Sequence, residues 1–134
     1  QTTADMIHFE QGADHLQLMR LGPNGLFRWS AGCCNTPMFN TLKSAKLPFV
    51  GILAGRLADP DRLGRVIAKG SVPQADGTNK HENYGRAAMG LFSRMIAARF
   101  SGRWRSTPFF DVETGEPVAT PTVLSKQARA ALYR

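Results

Sequence analysis

The chain has 134 residues, 43% of them hydrophobic, and its 17 basic against 10 acidic side chains leave a net charge of +7. That length is enough for one domain burying roughly 65–70% of its unfolded surface, so size alone demands neither metal nor disulfide, and two neighbouring cysteines build no disulfide framework. No apolar run approaches the roughly 18 residues of a spanning helix and no signal peptide is read near the start, so a reducing, cytoplasmic setting is expected, with the charge favouring anionic partners or plain solubility.

In chain order, residues 3–10 carry Met6-Ile7-His8-Phe9, a β-like run closed by Gly12 and expected to pair with a strand over residues 16–21. That strand turns at Gly22-Pro23-Asn24-Gly25 and returns through Leu26, Phe27 and Trp29, a hairpin that delivers Cys33 and Cys34 to a strand end. Three strands thus precede the cysteine turn. Residues 39–42 and 47–53 continue the β pattern, with Pro48 placing the latter at an edge or making its start irregular.

After Asp59-Pro60 the character changes. Residues 61–68 suit a short helix or turn, and residues 70–82, with Pro73, Asp76-Gly77 and Asn79, read as an exposed loop. Asn83 is a candidate N-cap for a helix over residues 84–101, stopped by Gly102. Ala88, Leu91, Phe92, Met95 and Ile96 recur at helical spacing and are expected to cover part of the sheet, opposite Arg86, Gly90, Ser93, Arg94 and Ala97. Arg99 falls inside the apolar arc, where a cation in the last turn suits the helix C-terminus. Phe109 and Phe110 are expected to pack back on the domain. Ser125 suits the N-cap of a last helix through Tyr133, docked by Leu132 and Tyr133. The reading is an α+β fold: one domain over residues 1–134, with a small antiparallel sheet over 1–57 and a helical extension over 58–134.

A zinc site needs four ligands when structural and three plus water when catalytic. Cys33, Cys34, His8, His15 and His81 are the candidates, and against metal binding stands a pair of small buried hydrophobes in a turn. No Gly-x-Ser-x-Gly elbow, phosphate loop or His-Glu-x-x-His helix is present, and Asp111, Glu113 and Glu116 read as solvated turn residues. Arg86, Arg94, Arg99, Arg103 and Arg105 with Trp104 have the residue types that neutralise phosphates and stack on bases, yet a solvated helix face is favoured over nucleic acid.

The stretch Trp29-Ser30-Ala31-Gly32-Cys33-Cys34-Asn35-Thr36-Pro37-Met38-Phe39 resembles the second cysteine knuckle of the glutathione-dependent formaldehyde-activating, or centromere-protein-V-like, family, where a strand leads into Cys-x-x-Cys-Gly-Thr-Pro-Leu. With Leu47-Pro48-Phe49-Val50-Gly51 and Ser106-Thr107-Pro108-Phe109-Phe110-Asp111, the chain is similar to an uncharacterised branch of that family. The resemblance implies a zinc-bearing, Mss4-like fold, with one structural and one catalytic metal in the family's enzymes. Cys34 aligns with a structural zinc ligand, Ala31 stands where the first knuckle cysteine belongs, Cys33 is its substitute by a shift of register, and Asn35 replaces the family glycine. The family's remaining cysteines lie upstream of the hairpin, where this chain has none.

On that resemblance the chain is expected to be the C-terminal part of a longer protein, with zinc bound in the full-length protein and not by this chain alone. Two functions are expected from the resemblance and the charge: a zinc-dependent, carbon-sulfur lyase-like enzyme acting on a small thiol adduct, this chain supplying scaffold, or a non-enzymatic zinc-fold binding module whose basic helix meets an anionic partner or nucleic acid. No membrane partner is expected, and the reading leaves room for a homo-oligomer.

Overall fold

Leu16 and Leu18 alternate with Gln17 and Met19, and Phe27 and Trp29 with Arg28 and Ser30, so each segment has one apolar and one more polar side and sits naturally on a half-covered sheet. In the computed structural model of the chain, which describes residues 1–131, these segments are the first two of seven strands. They are β1 (Leu16–Arg20), β2 (Phe27–Ala31), β3 (Thr36–Thr41), β4 (Val50–Ile52), β5 (Lys69–Pro73), β6 (Asn79–Glu82) and β7 (Pro121–Val123), with helices α1 (Tyr84–Phe100) and α2 (Lys126–Ala131). The fold is α+β. Its main sheet has the order β4-β3-β2-β1-β7, while β5 and β6 form a separate hairpin.

The sheet is antiparallel except at one edge, where β7 runs parallel to β1 and sets Leu18 opposite Pro121 and Arg20 opposite Val123. The expected antiparallel sheet of residues 1–57 is therefore corrected: a strand from the far end of the chain completes it. With that edge of β1 occupied, residues 3–10 do not form the expected strand. Thr2 instead bridges Val50 through two 2.9 Å backbone hydrogen bonds, Ala4–Met6 make a 3-10 turn, and Phe9 drops onto the apolar side of the sheet.

That side is sealed by aromatics. Trp29 is 1% exposed and Phe109 0%, their ring centroids are 5.1 Å apart, and Phe9, Phe39 and Phe109 meet edge to face at 5.5–5.9 Å. The expected return of Phe109 and Phe110 to the domain is observed, and truncating a ring buried this fully costs about 3–5 kcal/mol. The turn that carries them is held by the Asp111 carboxylate, which accepts backbone N–H bonds from Glu113 and Thr114. Those bonds, Thr114's first, draw the Asp111 carboxyl below its ordinary range.

Residues 70–82, expected as a loop, are largely the β5–β6 hairpin. Gly77 takes φ +78° at its tip, and the Asp76 carboxylate accepts from both the N–H and the hydroxyl of Thr78. Helix α1 begins after Asn83, which stands at the N-cap in a left-handed conformation and makes no side-chain capping bond. It ends before Gly102, whose φ of +78° only glycine adopts without strain.

Contrary to expectation, the apolar side chains of α1 do not lie together over the sheet. Leu91 and Met95 are half-buried and Ala98 is buried, whereas Phe92 and Ile96 face solvent. The helix meets chiefly the 3-10 turn Arg103–Arg105 that follows it, while the aromatic segment around Phe109 takes the place it was expected to fill. The hydroxyl of Ser125 accepts from the N–H of Ala128 at 3.1 Å, as an N-cap should. The expected docking through Leu132 and Tyr133 lies outside the described residues.

Candidate functional site

Strands β2 and β3 are joined by a four-residue turn closed by the Ala31–Thr36 pair, and Cys33 and Cys34 stand exposed at its tip. Two features fix the turn. The N–H of Gly32 donates to the carbonyl of His15 at 2.8 Å, and a Cβ on Gly32 would lie 2.8 Å from that oxygen and 3.1 Å from the Gln17 amide nitrogen, so only glycine lets the turn rest on the start of β1. Asn35 then adopts φ +53°, the left-handed conformation asparagine tolerates.

The two sulfurs are 3.5 Å apart and form no disulfide, with the Cys33 thiol donating to Cys34. Cys34 Sγ lies 2.9 Å from the Thr36 hydroxyl. Both cysteines are exposed, which corrects the alternative of two buried hydrophobes: the turn projects past the sheet instead of folding under it. The hydrogen bond to Cys34 first, and then the electrostatic cost of a second thiolate beside it, push the Cys33 thiol above its ordinary range.

With zinc–sulfur bonds of about 2.3 Å, one edge of a tetrahedral thiolate site spans about 3.8 Å, close to the separation seen here. The pair therefore matches one edge of such a site. It does not complete one: among the described residues no group of three or more His, Cys, Asp or Glu side chains comes together. Only His15 adjoins the turn, through its backbone carbonyl, while its ring lies 3.7 Å from Asp14. His8 is exposed elsewhere, and His81 accepts from the Ser71 N–H at 3.0 Å and packs on Tyr84.

Beside the turn, the side of the sheet away from the aromatic core is open. Its concavity, about 1000 Å³, is lined by Gln17, Met19, Arg28, Ser30, Asn35, Pro37, Asn40 and Thr122 among others. A bulge shapes it. Trp29 pairs with Phe39 and Ser30 with Pro37, leaving Met38 as the extra residue, so that Pro37 and Asn40 share the side carrying Ser30 and Arg28. Gln17 links the two features, lining the concavity while its side chain runs under Gly32. Sequence reasoning missed Gln17, Arg28 and Asn40, whose signal was no more than the polar half of an ordinary strand alternation.

The arginine-rich segment is arranged around a buried ring. Trp104, 7% exposed, has the Arg99 guanidinium 5.4 Å and that of Arg105 4.6 Å from its ring, and Arg103 pairs with Asp5 at 3.3 Å. The aromatic that would stack on a base is thus core.

No curated protein and no solved structure matches the chain. A family model described as a family of unknown function (DUF6151) matches residues 1–90, from the first backbone bridge into α1. With that share of its length matched, the chain belongs to the DUF6151 family.

Proposed function

We propose that the chain is the scaffold and substrate-binding part of a zinc-dependent, carbon-sulfur lyase-like enzyme of Mss4-like fold that acts on a small thiol adduct of the glutathione type. The observation that carries this reading is the concavity of about 1000 Å³ on the open side of the sheet, bordered by the turn that bears Cys33 and Cys34. Pockets of about 300–1000 Å³ suit small ligands. A peptidic thiol adduct offers carboxylates and amides, which the lining answers in kind: the Arg28 guanidinium for a carboxylate, and the Gln17 and Asn40 side chains for amides. Metal chemistry would come from ligands beyond the described residues, and Cys33 and Cys34 would offer at most one edge of a site.

The reading is tested by titrating the chain with S-methylglutathione, an adduct with no reactive bond, and following the amide resonances of β1 to β3. Shifts confined to residues around Gln17, Arg28 and Asn40, and an affinity about tenfold lower in Arg28→Ala, are expected. Absence of binding at millimolar ligand, or equal binding by the variant, would rule it out.

A further inference from the structure

The 17 residues of α1 carry two apolar sides, and among the described residues only the side with Leu91, Met95 and Ala98 is covered. At 3.6 residues per turn, Met89, Phe92, Ile96 and Phe100 fall within an arc of about 80°, on the side away from Leu91, Met95 and the buried Ala98. Their exposures are 73%, 63%, 40% and 87%. Arg99 borders that arc on one side and Arg86 on the other. The same patch continues beyond the helix, because Val66 and Ile67, both exposed, share a hollow with Arg65 and Arg86.

We propose that this side of α1 is a docking surface for an anionic lipid bilayer, on which the helix lies in the plane of the interface. Charge selects the class of partner: Arg86 and Arg99 border the patch, Arg65 lies beside it, and no acidic residue occurs between Glu82 and Asp111. Exposed rings bordered by guanidinium groups are the arrangement by which interfacial helices sink apolar side chains to the level of the acyl chains and pair their cations with headgroup phosphates.

Shape separates a bilayer from an acidic protein. The rings project singly from the helix, and the Ser93 hydroxyl, which falls between Phe100 and Arg86 around the helix, is turned back onto the Gly90 carbonyl at 3.0 Å. The patch thus offers little directional hydrogen bonding to set a register with a folded partner, and a fluid surface needs none. Among the described residues no helix is long and apolar enough to cross a membrane.

The test is sedimentation of the chain with vesicles of phosphatidylcholine alone or mixed with phosphatidylserine, at low and high salt, with polyglutamate as a soluble acidic competitor. Partitioning at least about tenfold stronger onto the anionic vesicles, weakened by salt, is expected from two arginines at the surface. It should be lost in the double variant Phe92→Ser with Phe100→Ser, which leaves the core untouched, and reduced in Arg86→Gln on anionic vesicles only. Failure to sediment with anionic vesicles at low salt, full retention by the double variant, or complete displacement by polyglutamate would overturn the proposal, the last pointing to an acidic protein instead.

Discussion

The indole Nε1 of Trp29 donates to the hydroxyl of Thr41 across 2.9 Å, with both residues almost wholly buried. This bond ties the largest core side chain of β2 to the end of β3. Thr41→Val keeps the shape but leaves the buried N–H without an acceptor, so unfolding stability should fall by about 1–3 kcal/mol. Urea unfolding followed by tryptophan fluorescence measures it, and an unchanged midpoint would mean that the bond contributes nothing net.

Gly32→Ala should be destabilising out of proportion to the one methyl added, because the new Cβ would meet the His15 carbonyl at 2.8 Å. Relief requires the cysteine turn to lift off β1 and break the bond from the Gly32 N–H. A loss of about 1–3 kcal/mol is expected, accompanied by shifted amide resonances at residues 15–17 and 32–36. Shifts confined to residue 32 would show that the turn is not seated on the strand.

The Cys33 thiol, raised first by its hydrogen bond to Cys34 and then by the nearby charge, should alkylate with an inflection above the ordinary thiol range. The sign is fixed by the cause: both influences favour the protonated form, so at neutral pH Cys33 reacts more slowly than an unperturbed exposed cysteine. Cys34→Ala removes both and should bring the inflection down. Iodoacetamide labelling across pH, resolved by peptide mass, reads the outcome, and an inflection unmoved by the substitution would contradict the pairing.

Zinc content gives a fourth check. Two thiols 3.5 Å apart, with no third His, Cys, Asp or Glu joining them among the described residues, should leave the purified chain well below stoichiometric zinc. Near-stoichiometric metal that disappears in Cys34→Ala would demonstrate a complete site, with ligands besides Cys33 and Cys34.

The strands around the cysteine turn were legible because Leu16 with Leu18 and Phe27 with Trp29 alternate cleanly, and because Gly22-Pro23-Asn24-Gly25 and Gly32 to Asn35 are turn chemistry with a mechanism. Strand β7 was not, since three residues following a turn-rich segment carry no periodicity and their partner lies far away in sequence. The β5–β6 hairpin held its signal in Asp76-Gly77, but flanks as polar as Asn79–Glu82 hid it. For α1, periodicity established that apolar sides exist without saying which would be covered; the place over the sheet is taken by Phe109 and Phe110, which follow the helix in sequence. The concavity beside the turn escaped for a related reason. Arg28 and Asn40 look like solvated strand residues until a bulge brings their side of the sheet into a hollow.

Because β7 lies parallel against β1, the sheet closes between a strand near residue 20 and one near residue 120. Pairing over such a separation must pay the entropy of closing a very long loop before it returns any contact energy, and topologies dominated by such contacts fold slowly. The hairpins β1–β2 and β2–β3 can form early and locally, yet Trp29 stays unsheltered until Phe109 arrives with the same late segment. Folding of this protein is therefore expected to wait on its C-terminal stretch. During that interval the free edge of β1 is a place where a second unfolded chain can add a strand, so refolding yield should fall with protein concentration while the native state, once formed, does not aggregate by this route.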